Sequence, residues 1–284
     1  MLQKYRLDEL DFIIINRKKL YRIIALRDIG DDVKTGDKGG YIESEFNLSH
    51  QGNCWVFHDA KVYDLALVSD DARISNCAQV FNRAVVNGCA RVFNNANICG
   101  CAKVYGSAVV RGFAKVCGNS EVLGESIVGE RASVSGSAVV SGYSSVSGKA
   151  CVYEFARIQG LCHIHGSSLI YGNANICGEA EVYGSACVYG NAHVNGNAAI
   201  CCSASISSNL DYFCCQSFGS VFRTTTFFRN IRGWRVNCGC FIGTIKEFRK
   251  KINETHGESV IAKEYLLIAD LMDLRANREI KIEK

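Results

Sequence analysis

The chain has 284 residues, 32 basic against 28 acidic side chains, a net charge of +4, and no proline. Such a length accommodates one long domain with smaller ends. So small a charge excess argues against a nucleic-acid partner, and no apolar run is long enough to span a bilayer.

The charge is unevenly placed. Residues 1–50 hold 9 basic and 9 acidic side chains, residues 51–208 hold 10 and 10, and residues 209–284 hold 13 and 9. The whole excess therefore lies in the C-terminal segment. Met1–Leu20 lacks the charged-then-apolar layout of a secretion signal, so a cytoplasmic protein is expected. Sixteen cysteines, most of them inside a repeat, at inward small-residue sites (Cys54, Cys162) or at outward sites (Cys99, Cys117, Cys151, Cys177, Cys187), read as fillers in a reducing compartment and not as a disulfide framework.

Residues 1–53 are expected to form an N-terminal β cap and a first irregular coil. Tyr5–Leu7, Phe12–Ile15 and Leu20–Ala25 read as short strands, Gly30–Gly40 as a polar turn region, and Tyr41–Ile42 as the start of the irregular coil.

Residues 54–208 carry an internal repeat of six. From Val56 to Ile206, 26 consecutive sixth positions are all Val or Ile. Two residues before each stands a small side chain, as at Ala60, Ala66, Ala72 and Ala78, with Cys54, Ser120, Ser126, Ser144, Cys162 and Ser168 as substitutes. Two residues after it stands mostly Gly, as at Gly106, Gly112 and Gly124, with Asp64, Asn82 and Glu130 as variants. Residues i and i−2 of a strand point to one face, so the small and the aliphatic residue both face inward. Gly and Asn then tolerate the left-handed backbone of a corner. One hexad is one short strand plus one corner, and three hexads close a triangular coil. Stacked at about 4.8 Å, nearly nine coils make a rod on the order of 40 Å long. The missing prolines suit a backbone whose amides are all committed to a ladder.

Residues 209–284 read as a small α+β module. Thr224–Arg229 and Trp234–Cys238 are strand-like around Asn230–Gly233 and predict a hairpin. Thr244 and Glu247 have capping-box spacing before a helix with Ile245, Phe248 and Ile252 on one side, ending near His256 and Gly257. A second helix over about 260–276 is expected to bury Tyr265, Ile268, Leu271 and Met272 or their neighbours.

The hexad Val104-Tyr105-Gly106-Ser107-Ala108-Val109 resembles that of the hexapeptide-repeat superfamily. Gly39–Ser49, Cys238–Thr244, Glu254–Gly257 and Ala262–Tyr265 further resemble the YdcK-type hexapeptide-repeat proteins of enterobacteria and phages. The resemblance implies a mainly β fold: a left-handed parallel β-helix with an N-terminal β cap and a small C-terminal α+β module. The hand comes from the resemblance, since the usual crossover rule is right-handed.

Superfamily acyltransferases place a His near a loop that interrupts the coils and bind acetyl-CoA or another acyl carrier between trimer subunits. Here the hexads run without an inserted loop, so no general base carries over. The three-histidine zinc spacing of hexapeptide carbonic anhydrases is also not reproduced.

Three outward features remain. His163 and His165 flank inward Ile164, and one coil later the same face offers Glu181 and Tyr183. Two imidazoles and a carboxylate could run acid–base chemistry or hold a metal; a solvated or interface patch is the plainer alternative. Tyr153, Tyr171 and Tyr189 recur every 18 residues, in line with Tyr63 and Phe81, and form an aromatic strip suited to a ligand ring, a subunit interface or docking of the C-terminal module. Tyr183 and Arg157 are further candidate ligand or interface residues. Cys214, Cys215, Cys238 and Cys240 offer four thiols without the C-x₂-C spacing of a zinc knuckle.

The first expectation for function is a non-enzymatic binding or scaffold protein, phage- or prophage-associated, that binds or sequesters a host protein or nucleotide-like ligand without cofactor, metal or membrane. It is expected to form a homo-oligomer, with a trimer as the first guess. The alternative is an acyltransferase using acetyl-CoA at a site between subunits, with His163 or His165 as base.

Overall fold

The computed structural model describes residues 3–219 and 221–282, with side chains in the last helix as far as Ala276. Each hexad supplies a two-residue strand whose second residue faces inward, from Trp55–Val56 to Ser205–Ile206. Strands pair in parallel at an offset of one coil, as in Asn97↔Lys115 and Ile98↔Val116. The result is a parallel β-solenoid of about nine turns, with three faces whose sheets hold 12, 9 and 8 strands. Amides donate along the axis to the next coil: Val85 N to Ala102 O at 2.9 Å and Asn87 N to Val104 O at 3.0 Å.

The inward aliphatics and their small neighbours are fully buried along the whole rod. Burying each Val is favourable by roughly 1.5 kcal/mol or more. Serine can replace alanine inside because its hydroxyl donates to the carbonyl three residues earlier: Ser120 to Cys117 at 2.8 Å, Ser126 to Leu123 at 2.7 Å and Ser144 to Ser141 at 2.6 Å. The buried oxygen thereby keeps a partner.

Corners adopt the left-handed region. Gly106 has φ +71°, and a Cβ there would lie 3.0 Å from the backbone N and O of Gly124, one coil on. Where the corner is not glycine, its side chain takes up a second role. The carboxylate of Glu130 (φ +55°) accepts from Gly148 N at 2.9 Å, and that of Asp64 accepts from Asn82 N at 2.9 Å. An acceptor one coil earlier thus satisfies a corner amide.

The N-terminal strands are longer than the sequence suggests. Tyr5–Leu7 and Phe12–Ile15 belong to one strand, β1 (Tyr5–Ile15), irregular between Asp8 and Phe12. It pairs antiparallel with β2 (Lys18–Ala25) through Asn16 and Arg17, both at positive φ. That is the backbone of a two-residue turn matched to strand twist. β3 (Lys38–Ile42) pairs antiparallel with β2 and parallel with the first coil, so the hairpin extends one face of the rod. Gly40 permits this approach: a Cβ would stand 2.5 Å from Ala60 O and 2.6 Å from a methyl of Val56.

Ile42 and Leu48 are the inward residues of the irregular first coil, paired with Val62 and Val68. Tyr5, Ile23, Leu48 and Trp55 close the rod's end, all buried.

Beyond the last coil, a four-stranded antiparallel sheet comprises Tyr212–Phe218, Arg223–Asn230, Gly233–Cys238 and Phe241–Thr244. Its two central strands are the expected hairpin. Tyr212 and Phe228 point into the rod core, whereas Phe227 and Val236 point into a second core with the helices. Helix α1 (Ile245–His256) begins at the capping box: Thr244 Oγ1 accepts from Glu247 N at 3.2 Å, and the Glu247 carboxylate accepts from Thr244 N at 2.7 Å. Helix α2 (Val260–Ile282) outruns its expected end. Tyr265, Ile268 and Met272 are buried as expected, but Leu271 is 45% exposed and Ala269 fills the core instead. Positions 265, 268, 269 and 272 form the i, i+3, i+4, i+7 stripe; 271 falls beside it. No helix among the described residues is long and apolar enough to cross a membrane.

Candidate functional site

The solenoid brings His163, His165 and Glu181 onto neighbouring rungs. His163 pairs in register with Ser145 and Glu181. His165 Nε2 stands 3.0 Å from a Glu181 oxygen, and its ring stacks on Tyr183 at 5.2 Å. Burial pushes the Tyr183 phenol up to about 12, with the Cys201 thiol adding to the effect. Its oxygen accepts from Asn237 Nδ2 at 3.1 Å, so Tyr183 ties this patch to the C-terminal sheet. His163 is exposed and takes no part in the His165–Glu181 pair. The patch can polarise one imidazole. Among the described residues no three His, Cys, Asp or Glu side chains come together as a metal site.

Tyr153, Tyr171 and Tyr189 stack at 5.0 and 5.2 Å between centroids, nearly parallel. Tyr63 and Phe81 stack likewise at 5.1 Å, but Tyr63 is buried against Leu20 of the N-terminal hairpin and Tyr41 of β3. Cys151, Leu169 and Cys187 pair in line beside the upper tyrosines. Arg157 does not join them: it pairs with Val139 and Asn175 on the next face of the rod. The C-terminal sheet rests on the rod's end, where Tyr212 Oη donates to His193 O at 2.9 Å and Thr226 Oγ1 accepts from Ala199 N at 3.0 Å.

The four C-terminal thiols separate. Cys214 lies with the rod core, and Cys215 is buried in the module core, which pushes its thiol up to about 12. Cys238 accepts from Thr225 Oγ1 at 3.1 Å, and Cys240 is exposed. All sixteen cysteines are free thiols.

The sequence reading missed a cavity of about 350 Å³ between the C-terminal sheet and α1. Phe241, Phe248, Ile252 and Tyr265 form its apolar wall, while Arg223, Lys251 and His256 bring cationic or protonatable groups to it. Among the described residues no acidic side chain lines it. The ring of Phe248 meets those of Phe241 at 5.5 Å and Tyr265 at 5.7 Å, which fixes the wall. Burial, followed by the neighbouring Cys238 thiol, pushes the Tyr265 phenol up to about 12, so it stays protonated. The one sequence signal that pointed here was the location of the charge excess.

No family model matches the chain, and no curated protein matches it. The solenoid alone does not assign an activity, because function resides in sites and not in folds.

Proposed function

We propose that this protein is a non-enzymatic binding protein: a rigid solenoid stalk that carries a recognition module at its C-terminal end. The observation that supports this is the C-terminal cavity, whose volume of about 350 Å³ suits a small-molecule site. Its wall is apolar and its polar groups are few and convergent, as ligand sites require. The rod contributes outward faces built from two-residue rungs, with no loop folded over them. Binding or sequestration of a host protein or nucleotide-like ligand, and the finer kinship with YdcK-type phage and enterobacterial proteins, belong to the same proposal. So does a homo-oligomer, with a trimer as first guess, joined along Tyr153, Tyr171 and Tyr189.

Native mass spectrometry of protein purified from its expressing cells tests the reading. A small bound species is expected, and it is lost in Thr255→Trp, which fills the cavity mouth. Turnover of acetyl-CoA with an amine acceptor, abolished by His165→Ala, would overturn it.

One observation favours a second reading as an acyltransferase. Glu181 holds His165 at 3.0 Å, the arrangement by which a carboxylate orients an imidazole base. On that reading acetyl-CoA binds between subunits beside His165, with His163 at the edge of the site.

A further inference from the structure

The C-terminal cavity has a charge pattern that its apolar wall does not explain. Arg223 comes from the sheet, and Lys251 and His256 come from α1, yet all three reach one concavity. None of the three has a carboxylate partner among the described residues, although other cations of the module do: Arg249 meets Asp273 at 2.6 Å and Asp270 at 2.8 Å. An anion in this concavity would complement the guanidinium and ammonium gathered there.

Local geometry places Arg223 at the cavity. Gly239 turns at φ +61°, and a Cβ there would collide with the Arg223 guanidinium. The bare turn is the slot along which that side chain lies. On the opposite side, His256 stacks on Tyr265 at 6.0 Å in the last turn of α1. The Tyr265 hydroxyl adds a neutral donor, since burial keeps it protonated. A ligand in this cavity therefore meets the aromatic rings of Phe241, Phe248 and Tyr265 together with a guanidinium and an ammonium.

We infer that this cavity binds a small amphipathic anion: a flat, apolar body bearing a single carboxylate, sulfonate or phosphate, with the body against Phe241, Phe248 and Tyr265 and the anionic group between Arg223 and Lys251. The inference rests on the reading of the C-terminal module as the recognition element. It adds the chemical class of the ligand. A neutral ring lacks the charge that Arg223 and Lys251 await, and a bare inorganic anion leaves the aromatic wall wet.

Two fluorescent probes separate these terms. 1-Anilinonaphthalene-8-sulfonate carries the aromatic body and the anion, whereas N-phenyl-1-naphthylamine has the same body without the sulfonate. Binding of each to the full chain is measured by fluorescence titration at low and high salt, with circular dichroism to confirm the fold of every variant. The sulfonate is expected to bind about tenfold tighter than the neutral probe, which corresponds to one charge-assisted contact. Arg223→Gln and Lys251→Gln each remove most of that advantage and leave the neutral probe unchanged, and Lys251→Arg restores it. Thr255→Trp abolishes both. Equal affinity for the two probes, both lost in Thr255→Trp, would overturn the anion preference while leaving the cavity as a binding site. Binding of the sulfonate unaffected by Thr255→Trp would overturn both the inference and the reading beneath it.

Discussion

The Lys4 ammonium lies 3.1 Å from the Cys54 sulfur and 2.9 Å from the Cys54 carbonyl oxygen, fully buried at the N-terminal end of the rod. A third acceptor, the Gln51 carbonyl, stands at 3.4 Å. No carboxylate makes a salt bridge with Lys4 among the described residues. Desolvation dominates, and it holds the Lys4 pKa below its ordinary 10.5 despite the Cys54 contacts that raise it.

A buried ammonium without a counter-ion costs stability, so Lys4→Met is expected to be neutral or stabilising by about 1 kcal/mol near pH 7. The pH dependence has a definite sign. Between the depressed folded pKa and 10.5 the unfolded chain binds more protons at this site than the folded one, so the lysine's contribution improves as pH rises through that window. The wild type should therefore gain on Lys4→Met in urea denaturation as pH rises from the folded pKa toward 10.5. A gap that widens with pH would contradict the account.

Glu130 tests the corner chemistry. Glu130→Ala removes the acceptor of the Gly148 amide and leaves a Cβ at φ +55°. Glu130→Gly removes the same acceptor but releases the left-handed strain. Alanine should cost about 1 kcal/mol more than glycine, the penalty of the αL conformation. Guanidinium denaturation of the two variants side by side is the measurement, and equal losses would show that corner strain is absent.

Asp211 fastens the module to the rod. Its carboxylate accepts from Ser207 N at 2.8 Å, Ser207 Oγ at 2.7 Å and Ser208 N at 2.9 Å. Burial alone would raise its pKa, but these hydrogen bonds and Arg229 outweigh it and hold the group below 3.8. The stabilisation is present above the unfolded value and is lost as pH falls through the folded one. Asp211→Asn should destabilise the junction by about 2 kcal/mol at pH 7 and by less once the pH falls below the folded pKa of Asp211. Hydrogen exchange at residues 207–213 would report it, and protection unchanged by the substitution would refute it.

Tyr171→Arg charges the centre of the aromatic strip while leaving the rod folded, since a guanidinium between the rings of Tyr153 and Tyr189 gains cation–π contact. If copies associate along this strip, light scattering of the variant gives the monomer mass. Assembly that survives the charge places the interface elsewhere.

The sequence made the solenoid legible because each inward residue repeats at a fixed spacing. Legibility stopped where spacing broke. Leu48 and Val56 are both inward but eight residues apart, not six, because the segment around Gly52 (φ +65°) lengthens the first coil. The strand Tyr212–Phe218 escaped notice for a different reason. Its two faces pack on two cores, Tyr212 and Cys214 on the rod and Cys215 under the helices, so no polar side marks the alternation. The cavity was hidden because Arg223, Cys238 and His256 lie far apart in sequence and meet only when the sheet and α1 fold together. His165 and Glu181 were legible as neighbours, since rung spacing alone places them one coil apart.

The parallel pairing at an offset of 18 residues, as in Ile98↔Val116, makes the stalk a ruler. Excising residues 105–122 joins Val104 to Leu123 and returns every later rung to a partner of the same kind. The two ends approach by about 4.8 Å with little change in their relative rotation. The separation between the N-terminal hairpin and the C-terminal cavity is thus graduated, and a partner touching both ends would sense a missing graduation as a loss of reach.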